Sequence, residues 1–390
     1  MSTKGTWPTH DRANRFGGRL RQWESTLKNF RDLCCGHKLT VALAITLLTN
    51  IYYCDKTNAG ALGPVAATKG EDQTCALPIE PNKRAKACSD IIARPSTSPR
   101  DRSIALFFRA LAEFDSKNHD SAIEDLKAAI KANPGVWQAD WILAIDAMKR
   151  RDSKSAYAYW GSVVKTQPDL SRVYERRALS ADWAGMRLEA LADYDKAIRL
   201  GGSGAKLAEL YQARGDVYEG LHEFDKAISA YSESIRLGGL GYRGRARIEY
   251  FKGNFAAADS DLQREKGPYD GYYFIWLYLV EAHLGKDALE KLRRRAADLD
   301  LGKWPGPIVR AVLGEISPAQ VMPPGEPVEW SALDRKKAAE CELSFYLGEQ
   351  ALLRGNRTMA KRLFQTAVNS GIGEYIEYRA SQHELTKLPR

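Results

Sequence analysis

A step of 34 residues constrains this chain more than any other feature. Ala122, Ala156 and Ala190 are 34 apart, as are Ala129, Val163 and Ala197, and Pro134, Pro168 and Gly202 keep the same step. Between the two small-residue columns runs a bulky one, Leu126, Trp160 and Tyr194. A fixed period of this length marks a repeat architecture, in which one helix-turn-helix unit recurs and each copy buries its apolar face on the next. Small residues let two helices approach closely while the large side chain fills the gap beside them.

The period continues with slippage. Ala227, Tyr231, Ser234 and Gly239 follow their counterparts by 37, the extra residues falling in "GGSG" at 201–204, and Ala258 and Leu262 come 31 later. "AIRLGG" at 197–202 and "SIRLGG" at 234–239 therefore read as ends of second helices, where Gly takes the left-handed conformation that stops a helix. Each first helix carries its own small residue at the matching place: Ala110, Ala144, Ala178, Gly215 and Ala246.

In these columns residues Ser103 to about Pro268 resemble five tetratricopeptide repeats, with a small residue at position 8, Ala at 20, an aromatic at 24, Ala at 27 and a helix breaker at 32. A sixth unit, counted from Cys341 at a helix start, places Gly348, Ala351, Ala360, Phe364 and Ala367 at positions 8, 11, 20, 24 and 27. Glu374 to Thr386 follows as a capping helix, which a solenoid needs over its last apolar face. The expected fold is all-α, a helix-turn-helix solenoid of tetratricopeptide type with a C-terminal capping helix. The expected organisation is a basic leader at 1–61, a linker with a short helix at 62–100, five units at 101–268, a degenerate helical unit and loop at 269–335, and a final unit plus cap at 336–390.

The succession "WLYLVEA", "WPGPIVRAVLGEIS" and "CELSFYLGEQALLRGN" resembles, over roughly 270 to 385, the C-terminal half of the NlpI-type lipoproteins of Gram-negative envelopes. That resemblance implies a periplasm-facing helical adaptor, often dimeric, recruiting peptidoglycan hydrolases or an envelope protease. The chain departs from those lipoproteins in lacking a lipid-attachment motif, since Tyr52 and Tyr53 precede Cys54 where small residues are required. The front, "KACSDIIAR" with an earlier cysteine, is similar to secreted proteobacterial repeat proteins with paired cysteines.

Composition narrows the compartment and the partners. The net charge is +9, but residues 1–61 hold nine Lys/Arg against four acids, a net of +5, so the remaining 329 carry only +4. That is too dilute for a phosphate-binding surface, and no nucleic-acid motif accompanies it. "LTVALAITLLTNIYY" (39–53), with basic residues before it and Ala59-Gly60-Ala61 after it, reads as a secretory signal cleaved near Ala61 or as a retained anchor. Either way the positive flank stays cytoplasmic and the bulk crosses the membrane. Cys75 and Cys88 have twelve residues between them and no histidine cluster, so they read as a disulfide closing a short loop, worth about 3 kcal/mol, or as two thiols. Cys341 reads as a small apolar residue.

Nothing in the chain spells an enzyme. His10, His37, His119, His222, His283 and His383 stand singly, none at a metal-ligand spacing, and no phosphate loop or nucleophile elbow is present. Carboxylate pairs such as Glu124 with Asp125, or Asp259 with Asp261, are expected on outer, solvated faces. No cofactor or metal is expected. Such a repeat binds instead through the first helices, at positions 2, 5, 9 and 12. These give an apolar stretch (Phe107, Leu111, Phe114, then Trp141, Ile145, Met148), then a charged one (Arg172, Glu175, Asp182, Glu209, Gln212, Asp216, Glu219), and last Arg243, Arg247 and Tyr250. The apolar stretch is covered either by the chain's own helix near Lys86 to Arg94 or by a partner. The expected partner site is Trp141, Glu175, Asp182, Gln212, Asp216, Glu219, Arg243, Arg247 and Tyr250. The expected function is a non-catalytic envelope scaffold holding a protein or peptide, with a self-associating assembly or secretion component as the alternative.

Overall fold

A computed structural model describes residues 73–76, 79–201, 204–265, 270–321, 332–373 and 375–389; the expected leader, Gly202 and the 323–331 loop lie outside them. Among the described residues there are eighteen α-helices, one 3-10 turn and no strand. They fall into two compact units, 73–147 with 158–168, and 148–157 with 169–389.

The first unit holds α1 (Gln73–Ala76), α2 (Pro81–Ala93), α3 (Pro99–Asp115), α4 (His119–Ala132) and most of α5 (Trp137–Lys149). α3 starts where it does because Ser98 accepts from the Asp101 amide, Pro99 is pre-set for the first turn and Asp101 faces the helix dipole. A disulfide joins Cys75 to Cys88. It packs α2 on α3 through Ala105, Ile91, Ile92 and Phe108. The next core gathers Ala110, Ala122, Ile123, Leu126, Ala139 and Leu143. Phe107 and Phe114 are partly buried against this core, while Phe108 packs on the disulfide and α2.

The second unit runs through α7 (Ser171–Trp183), α8 (Arg187–Arg199), α9 (Ala205–Gly220), α10 (Phe224–Arg236), α11 (Tyr242–Phe251) and α12 (Phe255–Arg264). It continues with α13 (Gly271–His283), α14 (Ala288–Ala296), α15 (Gly306–Leu313), α16 (Ala332–Leu353), α17 (Arg357–Asn369) and α18 (Ile376–Lys387). α6 (Ser153–Thr166) contributes residues to both units. Consecutive helices pair into hairpins, and the position-20 residues Ala122, Ala156, Ala190, Ala227, Ala258 and Ala360 are all 0% exposed. The reason is steric: a Cβ on Gly215 would come 2.8 Å from the Tyr231 ring, and one on Gly348 2.5 Å from the Phe364 ring. α13 is apolar all round because it is buried all round, packed by α11, α12, α14, α15 and α16. α16 starts at Ala332, so Cys341 lies mid-helix rather than at a helix start, fully buried among Ala338, Ala367, Ile372 and Tyr375.

Two further regularities hold the hairpins. At position 15, the turn between paired helices, the backbone is left-handed every time: Lys117 (φ 66), Arg151 (φ 62), Gly185 (φ 79), His222 (φ 58), Gly253 (φ 79) and Gly355 (φ 75). The off-register α13–α14 pair keeps it at Gly285 (φ 69). At positions 7 and 23 an Arg on the first helix grips an Asp on the second with two hydrogen bonds: Arg109 with Asp125, Arg177 with Asp193, and Arg245 with Asp261, all at 2.6 to 2.7 Å. Asp125 and Asp261 are therefore buried ion-pair partners, not members of a solvated face. Their fixed register along the hairpin and the planar fork of Arg account for the repeat of the motif. Where the Arg is missing, both positions turn apolar: Leu143 with Tyr159, and Leu347 with Leu363. Arg214, whose own hairpin offers Ala230, reaches Asp195 of α8 instead.

Two outcomes follow for stability. Lys117→Gly should raise it by about 1 kcal/mol by relieving a left-handed L-residue, and Gly185→Ala should lower it by a similar amount; equal urea midpoints for both would contradict the turn geometry. Arg177→Leu should cost roughly 2 kcal/mol by stranding Asp193, and adding Asp193→Leu should recover most of that, as Leu347 and Leu363 already fill those places in the last unit. A double variant as weak as the single one would show that the ion pair, not the packing, is required.

Candidate functional site

First helices of successive units place positions 5, 9 and 12 on one stripe, so α9 and α11 bring Gln212, Asp216 and Glu219 beside Arg243, Arg247 and Tyr250. Glu219 is clamped by Arg247 through Oε1 at 3.0 Å and Oε2 at 2.9 Å. The Tyr231 hydroxyl sits 2.6 Å from Glu219 Oε2 and 2.8 Å from Asp216 Oδ1, sharing its proton between them. Burial pushes the Glu219 carboxyl up, but the Arg247 charge, its hydrogen bonds, Tyr231 and the Arg379 charge outweigh it and hold the group below the usual carboxylate range. Arg243 turns to the other side, with its amide on Glu265 at 3.2 Å, its guanidinium 3.6 Å from Asp270, and the Tyr273 ring beneath it.

The remaining expected residues fall elsewhere. Glu175 forms an ion pair with Lys206 at 2.5 Å. Asp182 is buried 4.0 Å from Arg187. Trp141 belongs to the first unit, edge-on to Trp160 at 4.8 Å and to Trp137 at 6.1 Å. Gln212, Asp216, Glu219, Arg243, Arg247 and Tyr250 are each less than a tenth exposed, so the α9–α11 stripe is covered rather than open.

What covers it is the carboxy-terminal part of the same unit. Tyr250 donates to Glu349 of α16 at 2.6 Å and lies 3.2 Å from His283 Nε2. Along α16 the same chemistry recurs: Tyr272 and Trp304 both donate to Glu342, and Tyr346 donates to Glu377 of α18 at 2.7 Å. From α18, Arg379, His383 and Lys387 are spaced four apart and share one face. Arg379 lies against Gly220, where a Cβ would come 2.5 Å from its Nη1. The His383 ring contacts His222 at 5.6 Å, Phe224 at 4.8 Å and Phe251 at 5.5 Å. Lys387 donates to the Phe251 carbonyl at 3.0 Å. Sequence reading treats His283 and His383 as isolated and does not pair Glu349, Arg379 or Lys387 with the stripe. The four-residue spacing on α18 is the signal that could have found them.

Chemically the arrangement holds and orients charged groups. Among the described residues no group of three or more His, Cys, Asp or Glu is placed to hold a metal ion, and no helix is long and apolar enough to cross a membrane. Burial pushes the Cys341 thiol far above its ordinary value, which keeps it inert. Because Arg247 is buried with its partner, replacing Arg243 and Arg247 by Glu would strand Glu219 beside a like charge, and loss of partner capture in that variant would report unfolding.

The covered stripe makes stability depend on pH. Burial and the neighbouring Glu384 charge push Glu349 from 4.5 up to about 8, against the Tyr250 hydrogen bond and Lys387. Burial, with the Lys387 and His222 charges, pushes His383 from 6.5 down to about 4. A raised carboxyl stabilises fully below about 4.5, and that contribution is lost as pH rises through 8; a depressed imidazole stabilises above 6.5, and that is lost as pH falls through 4. The two oppose each other between 4.5 and 6.5, which leaves Glu349 alone above 6.5. Stability should fall from pH 6.5 to 8 with a slope approaching about 1.4 kcal/mol per unit, and Glu349→Gln should flatten it. Parallel melting profiles for the two proteins would contradict this.

The tetratricopeptide repeat family model matches residues 104–135 and 208–237. Among solved structures, a tetratricopeptide repeat protein from Parabacteroides merdae is similar at 18% identity and a TM-score of 0.47, over 73% of this chain and 98% of that one. PilW, a type IV pilus biogenesis factor, is similar at 14% identity and a TM-score of 0.42, over 50% of this chain and 93% of its own. Pseudomonas aeruginosa PilF is similar at 15% identity and a TM-score of 0.39, over 51% of this chain and 95% of its own.

Proposed function

We propose that the chain is a non-catalytic scaffold of the bacterial envelope, exported or tethered by its N-terminal segment, that holds a protein or peptide on the first-helix face of its repeats. The observation that carries this reading is the α9–α11 stripe, where first helices of successive repeats bring Asp216, Glu219, Arg243, Arg247 and Tyr250 together in a pre-ordered, hydrogen-bonded row. Pre-ordered charges discriminate between partners. The export-type leader and the likeness of residues 270 to 385 to NlpI-type lipoproteins support the periplasmic side, with a peptidoglycan hydrolase or envelope protease as the class of partner.

Crosslinking in the native envelope followed by mass spectrometry tests this reading. Periplasmic neighbours attached through second-unit peptides are the expected result, and exclusively cytoplasmic neighbours would contradict it. The alternative, a self-associating assembly component, predicts that the purified chain grows in size with concentration.

A further inference from the structure

We propose that the outer face of α17, the second helix of the last hairpin, is an electrostatic docking surface for an anionic phospholipid bilayer. This surface is separate from the α9–α11 stripe, and the proposal rests on the envelope reading above only for bringing the chain to a membrane.

The surplus charge of the chain is concentrated here. Residues 62–390 carry a net of +4, and residues 350–373 hold Arg354, Arg357, Lys361 and Arg362 with no Asp or Glu, which is +4 by itself; the rest of 62–390 sums to zero. α17 packs on α16 and α18 and buries Ala360, Phe364 and Ala367, while all four cations are exposed. Among the described residues none of the four forms an ion pair: Lys361 donates to the Pro389 carbonyl at 2.6 Å, and Arg362 donates to the Met359 sulfur at 3.1 Å. By contrast, on α10 Arg236 is matched by Glu233 at 2.8 Å, and on α14 Arg293 is matched by Glu290 at 2.9 Å.

The chemistry of the face selects the occupant. Arg357 to Arg362 rise about 8 Å along the helix, so the charges meet several phosphates rather than one. Three of the four are guanidiniums, whose planar fork matches phosphate oxygens. Gln365 and Asn369 continue the exposed surface with neutral polar groups, and no carboxylate stands there to repel a polyanion. A protein partner would add apolar contact at the centre of its interface. Met359, 39% exposed, is the single exposed large hydrophobic side chain of α17. What the face offers is charge, and each Lys or Arg held near an anionic leaflet strengthens attachment by about fivefold.

The test places a photocrosslinking amino acid at Gln365 on α17 and, as a control, at Ser229 on α10, both exposed. The full chain is reconstituted with phosphatidylcholine vesicles, with or without about a third phosphatidylglycerol. On the phosphatidylglycerol vesicles Gln365 should give about tenfold more lipid adducts than Ser229, and about tenfold more than it gives on phosphatidylcholine alone. Arg354→Gln, Arg357→Gln, Lys361→Gln and Arg362→Gln together should remove that excess. High salt should remove it from the unaltered chain as well, a reading that does not depend on how the variant folds. Equal adducts at the two sites, or an excess that persists in the folded variant or at high salt, would overturn the proposal. So would a protein rather than lipid attached at Gln365 in the native envelope, by assigning the face to an acidic protein. Overturning it leaves the scaffold reading intact, whereas the expected adducts alongside exclusively cytoplasmic neighbours would sink that reading and leave the bilayer surface standing.

Discussion

The fold depends on close contact between a small residue on one helix and a large ring on the next. Gly215 faces Tyr231, Gly348 faces Phe364, and Gly244 meets Tyr231 from the following hairpin, so one ring is gripped between two helices. With no Cβ in the way, the helix backbones come close enough for the ring to be buried on all sides, and Tyr231, Trp160 and Phe364 are 0% exposed. Everything else adjusts to that spacing. Left-handed turns at position 15 return the chain at the distance it requires, and Arg–Asp clamps at positions 7 and 23 fix the register along each hairpin.

Close packing of the hairpins also decides where polar groups can go. Positions 5, 9 and 12 of α9 and α11 converge, and their charges would be costly to bury singly. They are buried in pairs: Glu219 with Arg247, Asp216 with Tyr231, Tyr250 with Glu349. The exception is Glu349 Oε1, which is buried without a hydrogen-bond partner; burial, with the Glu384 charge, raises the affinity of this carboxyl for a proton.

Much of the fold is legible in the sequence because it is periodic. The alanine columns, the bulky column, the ends of second helices and the terminal helix each follow from spacing. The left-handed turns are less visible, since Lys117, Arg151 and His222 occupy them as readily as Gly185 and Gly253. The Arg–Asp clamps hide because Asp125 and Asp261 stand near other acids and read as outer faces; only a separation of 16 from an Arg betrays each Asp. The composition of the stripe is legible, but its covering is not. Tyr250 and Glu349 are 99 residues apart, and no local period links them. α13 likewise reads as a degenerate unit because its apolar surround comes from five separate helices.

The most direct measurement is the chemical shift of the glycine α-protons, observed by NMR with glycine-selective carbon labelling. If Gly215, Gly244 and Gly348 lie on aromatic rings as described, one α-proton of each is shifted strongly upfield by ring current and shows cross-relaxation to Tyr231 or Phe364. Ordinary glycine shifts with no such cross-peaks would mean that the rings do not fill these gaps, and the account of the hairpins would fail with them.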